Sequence, residues 1–185
     1  MHRRFFLIGL GATALAGCAT PVRLPPGFSD SVDAPYTLAA GDRLRVIVFG
    51  QDGLSNSYAV DGAGRISMPL IGLVTALGLT TAQLERAIEA RLRNGFLREP
   101  RVSVEVEQYR PFYVLGEVTT SGQFPYVNGM TAQTAVAIAG GFSARAERDV
   151  VTLTRQIRGQ LVSATVPITY PVRPGDTVLV RERWF

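Results

Sequence analysis

Cys18 has the strongest intrinsic chemistry in this sequence and is its single cysteine. A thiol serves as a nucleophile or soft-metal ligand when a histidine, a base or a second thiol stands beside it. The one histidine, His2, lies at the extreme N-terminus, in a stretch that reads as a removable leader. Zinc sites of the His/Cys kind and Cys–His or Ser–His nucleophile pairs are therefore excluded from the processed chain. Carboxylates remain. Glu105 and Glu107 share one face of a strand, and a carboxylate pair is what glycosidic chemistry needs. Their alternation with Val102, Val104 and Val106 instead makes them the wet side of a sheet. Asp42 and Asp176 each follow a glycine, which reads as a turn with aspartate capping backbone amides, not as a metal ligand or an acid. No phosphate-binding glycine loop opens a helix after a strand, and Gly9-x-Gly11 falls in the leader. The expectation is a chain that is not an enzyme, with no metal and no cofactor.

The elements that carry these residues begin with the leader. Arg3 and Arg4 precede an apolar run from Phe5 to Ala16, shorter than the roughly 20 residues that span a bilayer core. Small residues then lead to Cys18, and Leu15-Ala16-Gly17-Cys18 resembles the lipobox of bacterial lipoproteins. By that resemblance, residues 1–17 are a signal peptide and Cys18 is the lipidation site. Arg3-Arg4-Phe5-Phe6-Leu7 is also similar to a twin-arginine signal, although many ordinary signals carry two arginines, so both secretion routes stay open. Ala19 is not the acidic residue that holds many Gram-negative lipoproteins in the inner membrane, which implies an anchor in the outer membrane, facing the periplasm. Pro21, Pro25, Pro26 and Pro35 with Gly27 mark residues 18–35 as an extended tether.

From Tyr36 the chain breaks into short runs. Leu44, Val46 and Val48 alternate with Arg43, Arg45 and Ile47 as a strand with one buried face. Ser57–Val60 and Arg65–Met68 flank Asp61-Gly62 as a hairpin. Thr80 and Gln83 have capping-box spacing, and Leu84, Ala87, Ile88 and Leu92 follow on one helical face. Glu85, Glu89, Arg86 and Arg93 take the opposite face, read as solvated. After Arg110-Pro111 a second unit begins, with a strand over Phe112–Val118 and a turn at Ser121-Gly122. Thr131 caps a short helix that stops at Gly140-Gly141. Asp149–Arg155 and Gln160–Val166 form a hairpin about Arg158-Gly159, and Thr177–Arg183 is the last strand. Without regular βαβ alternation the fold class is α+β. Tyr36-x-Leu38-x-x-Gly41-Asp42-x-Leu44-x-Val46 also echoes Tyr170-x-Val172-x-x-Gly175-Asp176-x-Val178-x-Val180.

Composition agrees with small globular domains: of 185 residues, 46% are apolar and 18% charged, which excludes wholesale disorder. The net charge of +4 includes the two leader arginines, and the remaining basic residues, all arginine, are scattered. No basic stripe or aromatic interleaving marks a nucleic-acid surface, so no nucleic-acid partner is expected.

The run Tyr58-x-Val60-Asp61-x-x-Gly64-x-Ile66-x-x-Pro69-x-Ile71-Gly72, followed by Gly78-Leu79-Thr80, resembles the polysaccharide export domain. Val114-x-Gly116-Glu117-Val118 with Ser121-Gly122, and Ala135 to Gly141 with Ala146, is similar to the soluble-ligand-binding β-grasp (SLBB) domain that follows it in that family. Ser121-Gly122 departs from the family's usual Pro-Gly. The resemblance implies an export domain at residues 36–109 and a β-grasp-like domain at residues 110–185. It further implies an outer-membrane lipoprotein that forms a homo-oligomeric ring and conducts capsular or extracellular polysaccharide. The implied partner is an inner-membrane co-polymerase, often a tyrosine autokinase. Long members continue into an amphipathic helix that lines the outer-membrane pore, whereas this sequence stops at Arg183-Trp184-Phe185; the expectation is a short form that works with a separate outer-membrane pore protein or supplies only the periplasmic ring. Trp184 and Phe185 read equally as an interfacial anchor or partner contact and as cover for the final strand. A non-conducting saccharide-binding or scaffolding lipoprotein is the alternative.

Overall fold

The computed structural model describes residues 24–26, 28 and 34–184. The expected signal peptide and Cys18 lie outside the described residues. In strand β1 (Arg43–Val48) the alternation reads directly as burial: Leu44, Val46 and Val48 face inward. β1 is central in an antiparallel sheet of order β2-β1-β5, between β2 (Asn56–Ala59) and β5 (Val102–Gln108). Opposed pairs Val46–Val104 and Val48–Val102 build the core against helix α1 (Thr81–Arg93), which contributes Leu84, Ile88 and Leu92. The expected capping box is present. The Gln83 amide donates to Thr80 Oγ1 at 3.3 Å, and the Thr80 amide donates to Gln83 Oε1 at 2.8 Å.

Two expectations are corrected here. β2 does not pair with β3 (Arg65–Met68); instead β3 joins β4 (Gly72–Thr75), unmarked in the sequence reading, in a separate antiparallel ribbon. Asp61 does form the tight turn, its Oδ1 accepting the amides of Ala63 at 2.9 Å and Arg65 at 2.8 Å. Gly64 then redirects the chain: it sits at φ +75°, and a Cβ there would stand 2.3 Å from that of Leu77. Its carbonyl accepts the amides of Ala76 and Leu77, tying the ribbon to the chain beyond β4. The second correction concerns Glu85 and Glu89, read as solvated. Both are half-buried, and they accept the Val104 and Val102 amides at 2.9 and 3.1 Å along the outer edge of β5.

The second domain contains β6 (Phe112–Gly116), β7 (Gly122–Phe124), α2 (Ala132–Ile138), β8 (Val150–Ile157), β9 (Gln160–Pro167) and β10 (Thr177–Val180). Its sheet order is β7-β6-β10-β8-β9, with β6 and β10 parallel and the other neighbours antiparallel. One helix against one face of such a sheet is β-grasp-like, and the chain as a whole is α+β. Helix α2 contributes Ala132, Ala135 and Val136, small enough for close approach to Phe112, Val114, Leu153 and Val178. The β8–β9 hairpin turns at Arg158-Gly159, both at positive φ (51° and 82°), as a two-residue hairpin loop requires.

Within the stretch expected as a tether, Phe28 is completely buried in this second core. Its ring lies 5.7 Å from that of Tyr170, whose hydroxyl donates to the Phe28 carbonyl at 3.0 Å. On the opposite face of the sheet Tyr113, Leu115 and Leu179 are 41%, 45% and 38% exposed, with Leu179 in register with Leu115, beside a polar part where Arg181 donates to Thr152 Oγ1 at 2.9 Å.

Candidate functional site

The two Gly-Asp turns meet at the junction of the domains. In the first, Asp42 is fully buried. Its Oδ2 accepts the Tyr36 hydroxyl at 2.6 Å and the Ala39 amide at 2.9 Å. Its Oδ1 accepts the Arg110 amide at 2.9 Å, sixty-eight positions along the chain. Arg110 Nη1 donates to the Tyr36 hydroxyl at 3.1 Å and stands 3.8 Å from Asp42 Oδ2, closing a small ring of contacts. Burial, and then the hydrogen bond to Asp42, hold the Tyr36 phenol well above its ordinary pKa. This hydroxyl is therefore a donor at every physiological pH.

The second turn repeats the plan with a different outer partner. Asp176 Oδ2 accepts the Arg173 amide at 2.7 Å, as Asp42 does from Ala39. The Arg155 guanidinium then grips the carboxylate, Nη2 to Oδ2 at 2.7 Å and Nε to Oδ1 at 3.0 Å. Arg155 is 4% exposed, donates also to the Pro171 carbonyl at 3.0 Å, and lies 5.3 Å from the Phe28 ring centre. Burial pushes the Asp176 carboxyl up from its ordinary range, while Arg155 pulls the other way. Burial also lowers the Arg173 guanidinium, with Arg155 as a like-charged neighbour.

Arg110 connects the two turns. Gly175, at φ +85°, lies so close that a Cβ would stand 2.5 Å from Arg110 Nε, so a larger residue here would be strained in its backbone and would displace the arginine side chain. The Gly175 amide donates to the Pro111 carbonyl at 3.0 Å. Tyr36, Tyr109 and Tyr126 run edge to face across the same seam, at centroid spacings of 5.0 and 5.5 Å. Beside it opens a cleft of about 330 Å³, bordered by Tyr36, Arg110, Arg155, Arg158, Arg173 and Asp176.

The arrangement suits charge recognition better than proton transfer. Both buried carboxylates already accept hydrogen bonds from several donors, and each has an arginine partner. Among the described residues no group of three or more His, Cys, Asp or Glu side chains could hold a metal. Glu105 and Glu107 are exposed on β5, and neither lines the cleft. The Gly-Asp pairs were legible in the sequence as turns, but their convergence on Arg110 was not. Arg155 did carry a signal, since it falls in phase with buried Val151 and Leu153 on β8.

Residues 30–107 match the family model described as Polysaccharide biosynthesis/export protein, and residues 111–164 match the SLBB domain. Tyr109 and Arg110, the residues that join the two turns, fall between the matched regions. The chain is also similar to the exopolysaccharide production protein ExoF of Rhizobium meliloti (strain 1021), at 36% identity over 118 residues. That alignment takes in 57% of this chain and 28% of ExoF, so the chain spans well under a third of that relative's length.

Proposed function

The chain belongs to the polysaccharide biosynthesis/export proteins that carry an SLBB domain, and from that premise we propose that it is a periplasm-facing, lipid-anchored component of a capsular or extracellular polysaccharide export route. The order of the two matched domains carries this reading, and the similarity to an exopolysaccharide production protein supports it. In this reading residues 1–17 are removed, Cys18 takes the acyl chain at the outer membrane, and residues 18–35 lead to the domains at 36–109 and 110–185. Copies assemble side by side into a ring around the polymer, and an inner-membrane co-polymerase delivers the saccharide. The exposed side chains of Tyr113, Leu115 and Leu179 support self-association, since exposed apolar surface marks contact sites. The chain acts by geometry and has no catalytic role; the buried partners of Asp42 and Asp176 support this.

A deletion strain complemented with the wild-type chain or with Cys18→Ser tests the reading, with polymer measured at the cell surface and in the periplasm. Deletion is expected to empty the surface and fill the periplasm. Cys18→Ser is expected to leave the membrane fraction and fail to restore export. Normal surface polymer in the deletion strain overturns the export role, and full rescue by Cys18→Ser overturns the anchor.

A further inference from the structure

We propose that the cleft at the domain junction binds an acidic saccharide through arginine contacts to a sugar carboxylate. The charge balance of its walls is the first ground. Among its arginines, Arg110 is held by Asp42 behind the wall, Arg155 by Asp176, and Arg173 donates to the Ala34 carbonyl at 2.6 Å, whereas the Arg158 side chain has no hydrogen bond or ion pair among the described residues. Arg158 thus brings a positive charge to the cleft with no carboxylate set against it.

The backbone gives the second ground. Arg158 holds φ +51° at the tip of the β8–β9 hairpin, a position where glycine or asparagine is the low-strain choice. The two-residue loop itself enforces this conformation, so the point from which the Arg158 side chain leaves the hairpin tip is fixed before any ligand arrives. Preorganisation is the third ground, because the Arg155–Asp176 pair, its donors already spent, holds one wall rigid and Arg110 is wedged against Gly175 before any ligand arrives.

The remaining walls suit a sugar. Tyr36, Pro174 and Ile157 offer apolar surface for the C–H face of a pyranose, and Thr37 and Gln156 offer hydrogen-bonding groups for its hydroxyls. About 330 Å³ falls at the small end of ligand clefts, which fits a short stretch of polymer. A guanidinium fork matches a carboxylate in a bidentate geometry. The assignment of a saccharide rests on the export reading above; the anion preference rests on the cleft.

The full-length chain in detergent is titrated calorimetrically with tetragalacturonate and with neutral maltotetraose. Tetragalacturonate is expected to bind at least about tenfold more tightly, and its affinity to fall as sodium chloride rises from about 50 to about 500 mM. Arg158→Glu is expected to cost about tenfold or more. Arg158→Asn, which keeps a residue tolerant of positive φ and so protects the hairpin, is expected to cost several-fold. Equal binding of the two tetramers, or wild-type affinity in both variants, overturns the site. Inorganic phosphate displacing tetragalacturonate at equal concentration overturns the saccharide assignment. Normal export in an Arg158→Glu strain, where deletion abolishes export, overturns the site as a handler of exported polymer and leaves the export role intact.

Discussion

Asp42 and Asp176 occupy equivalent places in two copies of one turn, and the difference between them decides what each can tolerate. Each accepts the amide three residues back, from Ala39 and Arg173, and each follows a glycine at positive φ. The side-chain hydrogen bond comes from a neutral phenol at Asp42, with the Arg110 guanidinium 3.8 Å away, and from a guanidinium directly at Asp176. A buried ion pair adds little over apolar packing, but removing one member strands the other charge at a cost of about 3–5 kcal/mol. Arg155→Met should therefore destabilise the second domain by that amount in urea unfolding at pH 7. Adding Asp176→Asn, which can still accept the Arg173 amide, should recover about half. The penalty also has a pH sign. Burial raises the Asp176 carboxyl, so the folded state takes up a proton that the unfolded chain releases earlier. Such a group favours the fold below its unfolded pKa and loses that contribution as pH rises through the folded value. With Arg155 gone the upward push is less opposed, so the Arg155→Met penalty should be smaller at about pH 4 than at pH 7. A penalty that grows on acidification would refute this account.

Helix α1 and strand β5 are matched in a way that follows from their rises. Four helical residues advance about 6 Å, and two strand residues about 6.7 Å. Carboxylates at Glu85 and Glu89 therefore meet successive outward amides at Val104 and Val102. Two amides on the outer edge of β5 are thus capped by side chains, one way in which an exposed edge avoids pairing with another chain. Replacing both glutamates by alanine should cost about 1 kcal/mol each, the half-buried setting keeping the figure low. The amides of Val102 and Val104 should then exchange with solvent markedly faster, and the variant should associate at concentrations where the wild type does not. Unchanged exchange at both amides would show that water serves the edge as well as the carboxylates do. This element also shows where the sequence stops being informative. The alternation in β1 and β5, the Thr80 capping box and the Arg158-Gly159 hairpin depend on neighbours within a few residues, and all could be read directly. Glutamates four apart on a polar helix face look the same whether they meet water or a strand nineteen or thirteen positions away. The β3–β4 ribbon was hidden because its turn uses Leu70 at φ 68°, where turn chemistry expects glycine or asparagine. Phe28 stands alone among prolines and serines, and no periodicity announces a single anchoring ring.

At the scale of the molecule, the orientation of the two domains depends on the seam around Arg110. Its amide is bonded to the first turn, its guanidinium reaches Tyr36, its stem fills the space that Gly175 leaves, and its neighbour Pro111 accepts the Gly175 amide. The Tyr36–Tyr109–Tyr126 run adds edge-to-face contact over the same boundary. In a ring of copies, the angle between domains helps set the angle between successive subunits, and a small error multiplies around the axis until closure fails. A stiff seam would serve the ring proposed above, and stiffness of this kind also couples the domains thermally. Wild-type chain should unfold in one calorimetric transition. Arg110→Ala removes the guanidinium and the stem yet keeps the backbone amide that Asp42 accepts, so the first turn retains its Tyr36, Ala39 and Arg110 amide donors. Both domains should still fold, but their transitions should separate, the less stable one moving down by several degrees, as expected for a loss of about 1–2 kcal/mol in a domain of this size. One transition at the wild-type temperature would mean that Arg110 only fills space, and that the domains hold their angle by other means.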